Sequence, residues 1–355
     1  MKVKFFQHDK VFLKKVSFYI IMIAIVVSFP VVLGEIYLRI VDFNSSYLKL
    51  GNRVYPAKGL AGEGHYTYDP LTGYALIPKM TDKTQEITTD ENGFRITKTI
   101  DRKKKSIIFV GDSTVFGWGV ADKDTFVFRL SEREKLQKYN VINTGVPSYS
   151  LGHISAVLTQ KVPLYNPKIV FVQILWPWKP FEAYSSPTAW KEIDFAFYKD
   201  RIGINKTFED KNTKTKLRIW SLFQNLYFRL VYEKQIKENL TRPGIRDFAI
   251  TKEKEEWLAH EHVNELKRAT KSLMEQGVKV IFYVHPYQYV IFYDDYKNLG
   301  AIGKNILLTE LPALYPAEFL IDYKKDLLFI DGSHLTEAGH RVFEIYFYDI
   351  LNRLL

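Results

Sequence analysis

The chain of 355 residues contains no cysteine. It can therefore form no disulfide, use no thiolate nucleophile, hold no zinc through sulfur and carry no lipid on a cysteine. The sequence also shows no helix-turn-helix or zinc-finger pattern, so nothing in it indicates a nucleic-acid partner. Its glycine-punctuated segment Gly111–Gly119 lacks the Gly-x-x-x-x-Gly-Lys and Gly-x-Gly-x-x-Gly spacings, which argues against a nucleotide site there.

Hydrophobic residues make up 46% of the chain and aromatic residues 15%, enough for a large core. We expect one large domain with an insertion rather than two equal domains. The net charge is +10, of which residues 1–15 contribute +4 through five lysines and one aspartate. Elsewhere the tightest basic cluster is Lys103–Lys105, which we interpret as a solvated loop rather than as a contact for an anionic partner.

An uncharged run from Val16 to Gly34 follows the basic residues. Its length matches the ~17–25 residues of a membrane-spanning helix, and Pro30 is tolerated there. No small-x-small cleavage site follows, which favours an uncleaved anchor over a signal peptide. The positive-inside tendency predicts a cytoplasmic tail at 1–15, a transmembrane anchor at 16–34 and an extracytoplasmic remainder, periplasmic or at the cell surface.

Residues 35–104 contain turn signals and little helical periodicity, which predicts a connecting region of short strands, or an irregular stalk, packed on the main domain. From residue 105 onward, strand-like and helix-like segments alternate to residue 355, the pattern of an α/β protein with a parallel sheet. The aromatic-rich stretch at about 176–250 breaks this alternation, and we interpret it as an insertion. It forms either a lid over the site or a small core of its own.

The apolar run Ile107–Val110 ends abruptly at Gly111-Asp112-Ser113. This pattern predicts a buried strand, a sharp turn and a helix that begins near Ser113. Such a turn presents a hydroxyl at the carboxyl edge of a parallel sheet, beside the free N–H groups of the new helix. The serine is chemically useful there if a base can reach it.

A second apolar run, Leu327–Ile330, predicts a fifth strand and is followed by Asp331-Gly332-Ser333-His334. Because Asp331 and His334 are three positions apart, a turn brings both to one side. The carboxylate can then orient the imidazole while the other ring nitrogen faces Ser113. The sequence therefore predicts a serine, histidine and aspartate constellation across the sheet edge.

Three blocks of the sequence resemble those of the GDSL-type, or SGNH, hydrolases. Gly111–Thr114 resembles their first block, Asn143–Tyr149 the second and Asp331–His334 the last. The flanking Asp90–Arg95 and Trp118–Val120 are similar to a membrane-anchored bacterial branch of that family. The resemblance covers roughly residues 105–355 and implies a flavodoxin-like, doubly wound parallel sheet.

The resemblance also implies roles for individual residues. Ser113 would be the nucleophile, His334 the base and Asp331 its orienting acid. The backbone N–H groups of Ser113 and Gly145 would form the oxyanion hole. No cofactor would be required.

One block departs from the family pattern. Where the family carries Gly-x-Asn-Asp, the strand Ile169–Leu175 continues into Trp176-Pro177-Trp178-Lys179 without an asparagine. Losing one oxyanion donor typically costs about 2.7–4 kcal/mol of transition-state stabilisation. Either another donor replaces it, or catalysis is impaired. The candidate replacements are Gln173, Trp178 and Lys179.

Several further side chains fall near the predicted site edge. The candidates for a pocket there are Asp112, Thr114, Trp176, Trp178, Lys179 and His285. We expect the Asp112 carboxylate to brace the turn through backbone N–H groups, and His340 to be structural. His260 and His262 lack the helical spacing of a metal pair, so no metal site is predicted.

The sequence thus predicts a membrane-anchored, extracytoplasmic serine esterase that acts on an ester, such as an O-acetyl group, of a carbohydrate or lipid. The first alternative is an O-acyltransferase of cell-surface polysaccharide, which shares the acyl-enzyme and differs only in the acceptor. The second is a catalytically impaired protein that binds glycans or assists envelope assembly.

Overall fold

The computed structural model of the chain describes residues 3–40, 47–50, 53–56, 65–69, 71–174, 217–227, 252–292, 298 and 300–355. The strands within these residues are β1 (Tyr47–Leu50), β2 (Arg53–Pro56), β3 (Tyr66–Asp69), β4 (Gly73–Leu76), β5 (Thr81–Asp82), β6 (Ile87–Thr88), β7 (Ser106–Val110), β8 (Asn140–Asn143), β9 (Pro167–Ile174), β10 (Lys279–Val284) and β11 (Ala313–Leu314). The α-helices are α1 (Val3–Ile40), α2 (Ser113–Phe116), α3 (Phe126–Glu132), α4 (Leu151–Ala156), α5 (Arg218–Tyr227), α6 (Lys252–Glu275), α7 (Gln288–Phe292), α8 (Ala301–Glu310), α9 (Ala317–Leu320), α10 (Lys325–Leu328) and α11 (Glu337–Leu354). Shorter turns of other helix types lie at Asp122–Asp124, Glu134–Leu136, Val157–Lys161 and Val162–Tyr165.

Five strands form the central sheet, in the order β11-β10-β9-β7-β8, and every pairing is parallel. Helices cover both faces: α4, α6 and α8 contribute to one apolar cluster, and α3 and α11 contribute to the other. This is the doubly wound α/β architecture that the strand–helix alternation predicted. Because both faces are covered, β7 is buried along its whole length, which explains its continuous apolar sequence.

The register of the sheet brings the carboxyl ends of β7 and β8 close together, and the neighbouring strand β9 continues two residues further, to Ile174. Phe109 of β7 pairs with Asn143 of β8, and Val110 pairs with Val172 of β9. The loops that leave these strands therefore begin side by side. This is the edge at which open α/β sheets place their sites.

Strands β3, β4 and β6 of the predicted connecting region pack on the sheet. Strands β3 and β4 form one antiparallel hairpin, and β5 and β6 form another. Tyr74, Leu76 and Phe94 are buried in the same apolar cluster as Ile108 of β7. The boundary at residue 104 stays a prediction.

The prediction of a fifth strand at Leu327–Ile330 is wrong. Lys325–Leu328 forms the helical turn α10, and the fifth strand of the sheet is β11, which pairs with β10. A four-residue apolar run fits a strand or a helical turn, because periodicity cannot separate the two at that length. Phe329 still makes one isolated antiparallel bridge to Leu335, which closes the loop between them.

Helix α1 is one helix of 38 residues, longer than the predicted span 16–34. Its segment Lys14–Ile40 is long and apolar enough to cross a membrane, although a signal sequence meets the same test. Apolar side chains along it are exposed, including Ile25 at 54% and Phe29 at 62%.

Candidate active site

Ser113 occupies the first position of α2, directly beyond the buried strand β7. Asp112 caps this helix: its Oδ1 accepts hydrogen bonds from Thr114 N at 2.9 Å and from Thr114 Oγ1 at 3.0 Å. The predicted bracing role of Asp112 is therefore confirmed. The first N–H groups of a helix have no partner within it, so the backbone N–H of Ser113 lies beside the Ser113 hydroxyl without an intrahelical partner.

Gln173, on the neighbouring strand β9, supports the same turn through its side-chain amide. Its Oε1 accepts from Asp112 N at 3.0 Å, and its Nε2 donates to Thr114 Oγ1 at 2.6 Å. A Cβ atom at Gly111 would lie 2.1 Å from Gln173 Oε1, so only glycine fits there. Gln173 was a candidate oxyanion donor, and the structure instead engages its amide with the residues on either side of Ser113.

Ser113, His334 and Asp331 form a continuous relay. His334 Nε2 lies 2.9 Å from Ser113 Oγ, and His334 Nδ1 lies 2.9 Å from Asp331 Oδ2. The Asp331 Oδ1 atom accepts from the backbone N–H groups of Ser333 and His334, both at 2.8 Å. The carboxylate is thereby held in position to orient the ring, which is the geometry of an activated serine nucleophile.

Asp331 and His334 each stabilise the charged form of the other. Burial acts to lower the pKa of His334, but the charge and hydrogen bond of Asp331 outweigh it and raise the pKa above its ordinary value. Burial likewise acts to raise the pKa of Asp331, but the His334 charge and hydrogen bonds hold that pKa well below its usual range. Asp331 is therefore a carboxylate at neutral pH, and it stabilises the imidazolium that forms when His334 accepts a proton.

His285 was a pocket candidate, and the structure places it beneath the loop that carries the relay. The residue is 2% exposed, and its Nε2 lies 2.8 Å from the Ser333 carbonyl oxygen. Burial lowers the pKa of His285 to about 4, so the ring is neutral at pH 7. The neutral ring donates this hydrogen bond through Nε2–H and supports the Asp331–His334 loop.

Arg95 holds the loop that follows α2, and sequence reasoning missed this role. Its side chain is buried and ion-paired to Asp122 at 2.8 Å. Its guanidinium also donates to the carbonyl oxygens of Phe116 at 2.9 Å, Gly117 at 2.7 Å and Val120 at 2.7 Å. In the sequence, Arg95 stands out only as the last residue of the flanking motif Asp90–Arg95. A sequence pattern does not distinguish a buried arginine from an exposed one.

The loop that Arg95 holds brings Trp118 against His334. The ring centroids of Trp118 and His334 are 4.4 Å apart, with the planes tilted by 38°. Trp118 is half-buried, as are Ser113 and His334. Packing against the indole therefore restricts the movement of the imidazole ring.

Asn143 and Gly145, from the predicted second block, lie against α2. Asn143 Nδ2 donates to the Val115 carbonyl oxygen at 2.9 Å, and its Oδ1 accepts from Gly145 N at 3.0 Å. A Cβ atom at Gly145 would lie 2.3 Å from Phe116 N, so the close approach requires glycine. The Gly145 N–H is thus paired with Asn143, and its role in an oxyanion hole stays a prediction.

The remaining predicted site residues have different outcomes. Trp176, Trp178 and Lys179 lie outside the described residues, as does most of the insertion at 176–250. His340 is buried, and its Nδ1 accepts from Phe126 N at 3.2 Å, which confirms its structural role. Among the described residues, no group of three or more His, Asp or Glu side chains is placed to hold a metal ion.

No protein-family model and no curated protein matches the sequence. Among solved structures, the fold is similar to that of TesA, at 12% identity and a TM-score of 0.40, covering 71% of this chain and 100% of that one. It is also similar to the esterase EstA from Pseudoalteromonas sp., at 13% identity and a TM-score of 0.38, covering 71% and 98%. A third similar structure is the acetyl xylan esterase AlAXEase, at 13% identity and a TM-score of 0.37, covering 69% and 98%.

Proposed function

We propose that this chain is a serine esterase of the SGNH type that forms an acyl-serine intermediate on Ser113. The observation that carries the proposal is the unbroken relay from Ser113 Oγ through His334 to Asp331, with both hydrogen bonds at 2.9 Å. The three residues come from segments about 220 positions apart in the chain, and they meet at the carboxyl edge of the sheet. Such an arrangement serves nucleophilic catalysis on a carbonyl centre.

The proposed reaction has two halves. His334 Nε2 accepts the Ser113 proton as Oγ bonds to the ester carbonyl carbon, and the carbonyl electrons move to its oxygen. As the tetrahedral centre collapses, the bond to the alcohol oxygen breaks, and that oxygen takes the proton from His334. Water then attacks the acyl-serine with His334 again as base, releasing the acid and restoring Ser113.

The oxyanion of each tetrahedral centre would lie at the start of α2. The Ser113 N–H and the positive end of that helix are the proposed stabilising groups. The Gly145 N–H would join them only by sharing its hydrogen with both Asn143 Oδ1 and the oxyanion. Gln173 supports the turn that aims the Ser113 N–H, since it accepts from Asp112 N.

The proposed substrate is an acylated carbohydrate or lipid, with an O-acetyl group as the acyl portion. The proposed setting is a membrane, with α1 as a single span, the N-terminal lysines in the cytoplasm and the α/β domain extracytoplasmic. The length and apolar composition of Lys14–Ile40 support the span. The distribution of basic residues around it supports the orientation.

The full chain in detergent, assayed with an activated acetyl ester, tests the proposed activity. Ser113→Ala is expected to reduce turnover to the buffer rate. Ser272→Ala is the matched control, because Ser272 is exposed on α6, and this variant is expected to retain wild-type turnover. Equal turnover by wild type and Ser113→Ala would contradict the proposal.

A further inference from the structure

Helix α5 is attached to α1 near the end of the uncharged run. Ile219 N, in the first turn of α5, donates to Glu35 Oε2 at 2.9 Å. A Cβ atom at Gly34 would lie 3.5 Å from Ile219 Cδ1, so the two helices are in close contact there. This contact fixes the start of α5 where the uncharged segment of α1 ends at Glu35.

The apolar residues of α5 recur at helical spacing. Ile219, Leu222, Phe223 and Leu226 follow the pattern i, i+3, i+4 and i+7, which places them on one face. Apart from the half-buried Ile219, the large apolar side chains of α5 are about half exposed. These are Trp220 at 58%, Leu222 at 45%, Phe223 at 58%, Leu226 at 56% and Tyr227 at 53%.

Five large apolar side chains that are about half exposed are unusual on one short helix that faces water. The position of α5 beside α1 suggests why these side chains are exposed. On α1, the residues around the contact with α5 are also exposed and apolar, with Leu33 at 50%, Ile36 at 49% and Tyr37 at 63%. The exposed side chains of α5 therefore lie beside those of the proposed membrane span.

We propose that α5 is an interfacial helix whose exposed apolar side chains insert into the boundary between lipid headgroups and acyl chains, in the leaflet where α1 ends. This inference rests on the proposed membrane anchorage of α1. Amphipathic helices bind this boundary through their apolar face, and Trp and Tyr side chains are enriched at its depth. Trp220 and Tyr227 are residues of these types. The partner is the phospholipid surface itself.

A second lipid contact beside α1 has a mechanical consequence. A single span permits the domain to rotate about the span's axis. With α5 in the same leaflet, the domain has two attachments, joined by the hydrogen bond between Ile219 and Glu35. The orientation of the domain relative to the membrane is then restricted.

The absence of cysteine makes a direct test possible, because each introduced cysteine is the one labelling site in the full chain. Three variants report three environments: Phe223→Cys on α5, Val26→Cys within α1 and Leu164→Cys on the α/β domain. The replaced side chains are 58%, 63% and 73% exposed, so labelling is permitted in each. Each variant carries an environment-sensitive fluorophore and is reconstituted into vesicles of phosphatidylcholine and phosphatidylglycerol. Quenching by aqueous iodide and by nitroxide-bearing lipids is then measured.

The labelled Phe223→Cys variant is expected to resemble Val26→Cys, with iodide quenching several-fold weaker than in Leu164→Cys and strong quenching by shallow nitroxide lipids. Iodide quenching equal to that of Leu164→Cys, while Val26→Cys stays lipid-quenched, would overturn the inference and leave the anchor intact. Protection of Phe223→Cys from both quenchers would show a protein partner instead and would also overturn it. If Val26→Cys itself is open to iodide, the anchor fails, and the inference fails with it for that separate reason.

Discussion

Replacement of Arg95 tests how the site is supported. Arg95→Met keeps an unbranched side chain of similar length and removes four hydrogen bonds, one to Asp122 and three to backbone carbonyl oxygens. Breaking a buried ion pair by removing one partner costs about 3–5 kcal/mol. The Asp122 side chain is 16% exposed, so water can partly solvate it after the change. We therefore expect a loss of about 3 kcal/mol in the free energy of unfolding, the lower end of that range.

Urea unfolding of the detergent-solubilised full chain, followed by near-ultraviolet circular dichroism, measures this loss. Arg268→Met is the matched control, because the Arg268 side chain is 70% exposed in its ion pair with Glu265, and such pairs contribute about 0–1 kcal/mol. Below the unfolding transition, Arg95→Met is also expected to lower kcat, because the loop it releases carries Trp118 against His334. A variant as stable and as active as wild type would refute the positioning role of Arg95.

Four further predictions concern the relay and its supports. Because a protonated His334 cannot accept the serine proton and its pKa is raised, kcat/KM is expected to fall as pH drops, with a midpoint above 6.5. Asp331→Asn removes the charge that raises this pKa, so its pH profile should move to lower pH and its kcat should fall; an unmoved midpoint would contradict the assignment. Gln173→Met leaves Asp112 N without its acceptor and removes the amide that donates to Thr114 Oγ1, while the Thr114 hydroxyl keeps its bond to Asp112. Urea unfolding should show a loss of about 1–3 kcal/mol, whereas unchanged stability would refute the contact. His285→Phe removes the donor to the loop, so kcat should fall with little change in KM, and a wild-type kcat would refute the supporting role.

The relay could be predicted from the sequence because its residues follow short, recognisable sequence patterns. Each of Ser113 and the Asp331–His334 pair follows an apolar run, and the carboxyl ends of parallel strands meet at one edge. For the serine this logic was correct in detail. For Asp331 and His334 the predicted strand Leu327–Ile330 is wrong, because its first two residues end the helical turn α10. The loop still reaches the site because Phe329 and Leu335 close it.

The supports of the relay could not be predicted in the same way. Gln173, His285 and Arg95 act through hydrogen bonds to residues 48 to 61 positions away, or 21 to 27 in the case of Arg95. No spacing rule connects such residues. The position of Gln173 as a polar residue inside the apolar strand β9 indicated that it has some polar partner. The sequence does not predict which atoms its amide binds.

Labelling with a fluorophosphonate tests the central claim most directly, because this reagent bonds covalently to an activated serine. Intact mass and peptide mapping of the full chain are expected to show one phosphonyl group, located on Ser113. The adduct should be absent from Ser113→Ala, strongly reduced in His334→Asn and unchanged in Ser272→Ala. An unlabelled wild-type chain, or a label that persists in Ser113→Ala, would contradict the assignment of Ser113 as the nucleophile.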